Sequence, residues 1–299
     1  LHSTSRRQRQ MCIRDSLKAK KRHPEEIAVY SAIYVCAAFS VLLLLGIIVY
    51  VFAKGARRVN WAFLTGVTSI LHGTVGIAGN ILNTLIIILL TMIITTPIGV
   101  GAAIYLNEYA KPGKLVTVII FATETLAGIP SIIFGLFGML FFGQLCHMGY
   151  SLLTGSLTLT LMVLPLVTRN TQEALKTVPD SFRTGAVGLG AGKWYTIRTI
   201  LLPSAMPGIV TGVILAIGRI IGESAALLFT AGSAHLLPKT FNAFLEKIFH
   251  SGGTLTIQLY LSANKGEFEV AFGIAVVLLV IVLLINFGTK RLAKKLEKH

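Results

Sequence analysis

Charge is scarce in this chain: 13% of its 299 residues are Asp, Glu, Lys or Arg, and only 12 of them are acidic. A soluble domain carries about a quarter charged residues, so an ordinary solvated fold is excluded. Cysteine is nearly missing as well. Cys12, Cys36 and Cys146 make no CxxC pair and share no ligand spacing with histidine, which excludes a disulfide framework or a structural zinc site. Cys36 lies in an apolar run, where a free thiol behaves as a small hydrophobe. His72, His147, His235 and His250 are scattered, and neither an HExxH nor an intramembrane carboxylate pair occurs at motif spacing. A membrane-embedded enzyme therefore lacks its catalytic constellation, and the chain is expected not to be an enzyme.

What is present is apolar residue, 54% of the chain with a mean hydropathy of +0.76, and an excess of cations, 27 Lys and Arg for a formal net charge of +15. A basic nucleic-acid binder needs a polar chain with a basic face, and uninterrupted apolar runs contradict that. Residues 1–16, LHSTSRRQRQMCIRDS, show no period and resemble translated sequencing-adapter read-through, so they are expected to be non-native and outside the fold. Without them the net charge is +12 and the basic excess survives.

A spanning helix needs about 20 mostly apolar residues, and six segments meet that length or approach it. They are 30–53, 76–106 with Pro97, 115–144 with Glu124 and Pro130, 151–168 with Pro165, 207–230 with Arg219 and Glu223, and 270–288. The runs lack the alternation of barrel strands, and open sheets cannot cross lipid, so an all-α membrane bundle of six transmembrane helices is expected. Lys18, Lys20, Lys21 and Arg22 fall on the same side as Lys111 and Lys114, as the five cations between Arg169 and Arg198, and as the five from Lys290 onward; the other side holds six. The positive-inside rule then puts the 17–29 and 290–299 basic ends in the cytoplasm, with a long cytoplasmic segment 169–206 and a long external one 231–269. In the external segment Phe241, Phe244, Leu245 and Ile248 fall at i, i+3, i+4 and i+7, predicting a short amphipathic helix at the outer interface or packed as an ordinary loop.

Segment 173–208 is the most patterned. Pro179, Asp180 and Ser181 start a helix, Gly188, Gly190 and Gly192 break it, and Trp194 to Leu201 resumes it before Pro203, giving two short helices about a glycine joint. The glycines do not form a P-loop, because Val187 and Trp194 stand where Gly and Ser or Thr are required, and GxGxxG fails at Lys193, so the chain itself is expected to bind no nucleotide. Within the fifth run, Arg219 is placed near mid-membrane, about 18 Å along the helix from Pro207, and Glu223 follows at i+4 on the same face. Charge at that depth costs at least roughly 2.5 kcal/mol and usually marks a pathway. Arg219 then offers a fork of donors to a tetrahedral oxyanion and Glu223 neutralises it when the path is empty; an internal ion pair that only fixes packing is the alternative. Gly208, Gly212 and Ala216, and Gly218 with Gly222, form small-residue rows for close helix approach.

Gly190, nine residues, Ile200, one residue and Leu202-Pro203 resemble the second half of the loop that ABC-importer permeases present to their ATPase. Thr184, Gly185 and Ala186 stand where that family has Glu-Ala-Ala, so the acidic contact is missing. The strings GRIIGESAALLFTAG (218–232), NEYAKPGK (107–114) and ETLAGIPSIIFGLFG (124–138) are similar to the PstA family of phosphate ABC permeases, from about residue 28 to the C-terminus. The resemblance implies a type I, MetI-like importer bundle over 30–289, phosphate as substrate, and a pathway through Arg219 and Glu223. Arg169 and Glu124 occupy further charged positions of that family; Arg169 reads equally as a snorkelling cation, and Glu124 is left without a specified partner. It also implies a second permease subunit (PstC-like), two copies of a phosphate ABC ATPase (PstB-like) that carry ATP and Mg, an external phosphate-binding protein (PstS-like), and residence in a bacterial inner membrane. A permease for another oxyanion, sulfate or molybdate, and a passive channel stay open as alternatives.

Overall fold

The computed structural model describes residues 24–69, 74–238 and 240–296. The expectation for residues 1–16 and His72 therefore lie outside the described residues. The chain divides into two units at Val51/Phe52. The first contains most of helix α1 (Pro24–Gly55), whose charge-free run 30–53 is apolar on every face, as suits a helix whose solvent is lipid.

The second unit starts with a 3-10 turn (Ala56–Arg58), α2 (Trp61–Thr65) and an antiparallel pair, β1 (Val67–Ser69) with β2 (Thr74–Ile77), Val67 opposite Ile77. Then come α3 (Ala78–Ile104) with a π-turn (Tyr105–Tyr109), α4 (Lys114–Gly128), α5 (Ser131–Gly138) with a π-turn (Met139–Leu145), and α6 (Leu152–Lys176). Next are α7 (Asp180–Gly188), α8 (Lys193–Thr196), a π-turn (Ile197–Leu201), α9 (Leu202–Gly222) and α10 (Ala225–Thr230). Last are α11 (Phe241–Lys247), α12 (Leu255–Asn264) and α13 (Phe268–Leu296).

Among the described residues five helices are long and apolar enough to span a membrane. The third expected span, 115–144, is a pair, α4 and α5 with its π-turn, bent by 103°. Pro130 explains the bend: it lacks an N–H and forces Ile129 out of the helical region, to φ −72°, ψ 131°. The fifth expected span, 207–230, is corrected at both ends. It begins at Lys193, because Pro203 falls in the first turn of α9 right after a loosened π-turn and does not stop the helix. It stops at Gly222, since Glu223 is extended at φ −83°, ψ 121°.

The core lies between α3, α6, α9 and α10, with Ile87, Leu159, Val163, Ile220 and Leu227 almost fully buried. Hydroxyls buried along α6 satisfy themselves: Ser156, Thr158 and Thr160 donate to carbonyls one turn earlier. The first small-residue row does bring helices together. A Cβ on Gly208 would stand 2.5 Å from the Ala174 Cβ, and one on Gly212 would stand 2.7 Å from that of Asn170, both on α6. A Cβ on Gly218 or Gly222 would meet nothing within 4 Å among the described residues beyond its own stretch of helix, so the second row brings no helix close. The first turns of α3 pin the 231–254 connection, with Asn80 and Asn83 donating to the Gly253 carbonyl and Thr84 Oγ1 accepting from Leu255 N. The helix expected around Phe241 forms as α11, with Phe244 and Ile248 packed on the core and Leu245 exposed, so packing accounts for its apolar spacing.

Candidate functional site

Tertiary packing brings three of the four expected pathway residues to one place. An open cleft of about 270 Å³ is lined by Thr123, Glu124 and Ala127 of α4, by Met162, Pro165, Leu166 and Arg169 of α6, and by Arg219 of α9. A second chamber of about 170 Å³ shares Thr123, Glu124 and Arg169 and adds Leu106, Ile120, Gln172, Glu173 and Lys176. The break after Gly222 puts Arg219 in the last turn of α9, a favourable place for a cation because the unpaired carbonyls there carry partial negative charge. Its cleft neighbour Pro165 sits midway along α6, so Arg219 lies at mid-bundle height although it ends its helix, with its side chain exposed to the open cleft.

The expected Arg219–Glu223 pair is not formed. Extended backbone at Glu223 removes the i+4 relation, and its Oε1 accepts from Ala226 N at 3.1 Å, capping α10. The Glu223 carbonyl accepts from Thr256 Oγ1 at 2.9 Å, which ties the break to α12. Arg169 Nε reaches Glu173 Oε1 at 3.4 Å, an exposed i,i+4 pair of the kind that contributes little by itself. Glu124 lines the same cleft as both arginines, and among the described residues no acidic side chain is within 4.0 Å of Arg219. The cleft thus holds an uncommitted guanidinium, a fork of donors suited to an oxyanion.

In the patterned segment the glycine joint is real: α7 ends at Gly188, Gly190 takes φ +82°, and α8 starts at Lys193. Thr184, Gly185, Gly190 and Pro203 are exposed, Ile200 and Leu202 are half-buried, and Ala186 is buried. Around them Phe182, Val187, Trp194 and Tyr195 are exposed, and Leu189 is 91% exposed.

What the sequence reading missed is how this segment is held. Arg183, counted there only as one of the orienting cations, donates from Nη2 and Nε to Glu108 Oε1 at 3.0 and 3.3 Å, from Nη2 to the Leu175 carbonyl, and from Nη1 to the Val178 carbonyl and Asp180 Oδ1, these three at 3.0 Å. The Glu108 side chain is 9% exposed and that of Arg183 22%. The Lys193 ammonium sits 4.7 Å from the Tyr109 ring centroid. Glu108 and Tyr109 belong to the quoted string NEYAKPGK, and a lone acidic residue closing a long charge-free run was the signal available. Thr123, Gln172 and Lys176 of the cleft were missed too, having no motif to mark them.

Residues 95–299 match the family described as binding-protein-dependent transport system inner membrane component. The chain belongs to that family. The probable ABC transporter permease protein YqgI of Bacillus subtilis is 36% identical over 273 residues, covering 88% of this chain and 93% of that protein. The phosphate transport system permease protein PstA of Xylella fastidiosa (strain Temecula1) is 35% identical over 246 residues, 80% of this chain and 82% of that one. Among solved structures, a bacterial alginate ABC transporter matches with a TM-score of 0.68 at 14% identity over 92% of this chain and 96% of that one. The MetNI methionine ABC transporter in an inward-facing conformation matches with 0.56 at 22% over 74% and 94%. The structural likenesses carry the fold: a MetI-type importer bundle. This member of the family is a multi-pass inner-membrane permease subunit and not itself an enzyme.

Proposed function

We propose that this permease forms one half of the transmembrane pathway of an ATP-driven phosphate importer. The uncommitted Arg219 in a cleft shared with Arg169 and Glu124 carries the reading. Across the two chambers Arg169, Arg219 and Lys176 outweigh Glu124 and Glu173 by one charge, giving a site that attracts an oxyanion yet keeps an internal carboxylate to help release it. The PstA name borne by relatives supports phosphate over sulfate or molybdate. A second, PstC-like permease completes the pathway, a PstS-like protein delivers phosphate from outside, and two PstB-like subunits hold ATP and Mg and hydrolyse it. Segment 169–206 is the cytoplasmic docking loop, carried by the exposed patch around Thr184 to Gly190; segment 231–269 faces outward, and both termini are cytoplasmic. Glu223 acts on the pathway by fixing where α9 ends, and so where Arg219 stands.

Replacing Arg219 with Ala should cut phosphate uptake by about a hundredfold, the scale of losing charge-assisted hydrogen bonds to an oxyanion, with assembly unchanged. Uptake of labelled phosphate by the complex in vesicles measures it, and wild-type transport by the variant would remove Arg219 from the pathway. Competition by unlabelled sulfate or molybdate in the same vesicles separates the substrates, and uptake without ATP would indicate a passive channel.

A further inference from the structure

Both arms of the docking segment grip the same few residues at the end of α3. On the first arm, α7, Arg183 binds Glu108 through two nitrogens while its other donors satisfy the Leu175 and Val178 carbonyls where α6 ends. On the second arm, beyond the Gly190 corner, the Lys193 ammonium lies over the Tyr109 ring. Beneath these polar contacts Ile197, Leu201 and Ala205 pack with Leu175 and Val178, and Val100 and Ile104 of α3 pack against that cluster. Glu108 and Tyr109 lie in the π-turn Tyr105–Tyr109, whose Leu106 lines the second chamber beside Glu124 and Arg169.

We propose that Glu108, Arg183, Tyr109 and Lys193 form a clasp that makes the docking loop and the end of α3 one rigid body, so that force applied to the loop moves Leu106 in the wall of the second chamber. These are positioning residues and touch no substrate. Arg183 suits the task because its planar fork reaches several acceptors at once, which fixes an orientation that a lysine's single ammonium would leave loose. The π-turn suits it too, since a widened turn displaces side chains from the regular helical register and recurs at functional sites. Under this arrangement Gly190 is a fixed corner between two anchored arms. The proposal rests on the docking reading of segment 169–206.

The test uses the complete complex with its second permease, ATPases and binding protein, in vesicles, with labelled inorganic phosphate. Glu108→Gln combined with Tyr109→Leu should leave co-purification of the ATPase and ATP hydrolysis in place while lowering uptake per ATP by roughly tenfold, and Tyr109→Phe with Glu108 intact should keep the wild-type ratio. A wild-type ratio in the double variant overturns the clasp. Should that variant fail to accumulate, spin labels at Ser181 and Lys111, both exposed, with Cys12, Cys36 and Cys146 replaced, report on an intact clasp. Their separation should stay constant within about 2 Å between nucleotide-free and ATP-bound states, and a larger change overturns the proposal. A wild-type complex that imports a different oxyanion refutes the substrate assignment alone, and the ratio is then read with that anion. An ATPase that fails to bind the wild-type permease refutes the docking reading on which the clasp depends.

Discussion

Glu223 shows how one residue undoes an expected charged pair. A continuous helix would have set Glu223 one turn above Arg219, but the Glu223 carboxylate instead caps α10 and its carbonyl accepts from Thr256. Residue identity in the string was readable; the local contest between an i+4 ion pair and a cap was decided by neighbours far along the chain. His235 illustrates another such decision. Burial, and after it the charge of Lys265, hold its imidazole below the ordinary 6.5, and its Nδ1 is buried without a hydrogen-bond partner among the described residues. A base whose pKa is lowered on folding binds fewer protons than in the unfolded chain, so its contribution to stability is present at higher pH and is lost as pH falls through the lowered value. The protection factor of the Gly253 amide, which donates to the Ala234 carbonyl beside His235, should therefore fall from pH 7.5 to about 5.5 once the intrinsic pH dependence of exchange is divided out, and His235→Gln should flatten that dependence. Equal protection at both pH values would exclude the imidazole as the cause.

At the scale of elements, the patterned segment was the most legible part. Its start at Pro179–Asp180, its glycine interruption and its resumption at Lys193 follow from capping and from φ preferences that act within a few residues. Gly190 at φ +82° is a position that proline, locked near −65°, cannot take. Gly190→Pro should therefore distort the loop and uncouple ATP hydrolysis from transport, lowering uptake per ATP by about tenfold, whereas unchanged coupling would show that the corner is dispensable. The elements misjudged were those in which proline and a widened turn combine. Pro130 breaks a run at 103°, while Pro203 passes unnoticed after the Ile197–Leu201 π-turn. Hydropathy records neither, since it measures how apolar a run is and not how it bends.

For the whole molecule, orientation is the property most open to test. The asymmetry of Lys and Arg supports the proposed orientation, with the docking loop and both ends on one side, and the α4–α5 bend makes the count of crossings depend on whether that pair traverses the membrane. Single cysteines at Leu189 and at Thr289 should be labelled from the cytoplasmic face alone, and one at Leu236 from the outer face alone. Labelling of Leu189 and Leu236 from the same face would overturn the topology. By itself the amino-acid sequence determined that the chain lives in lipid, which segments are apolar enough to cross it, and where the docking loop turns, because desolvation, turn geometry and charge asymmetry are local or additive along the chain. Only the tertiary structure decided that Arg169, Arg219 and Glu124 share a cleft, that Glu223 does not join them, and that Arg183 closes on Glu108. Those meetings depend on how α3, α4, α6 and α9 pack, through contacts such as Gly212 on Asn170, between residues that no spacing in the chain relates.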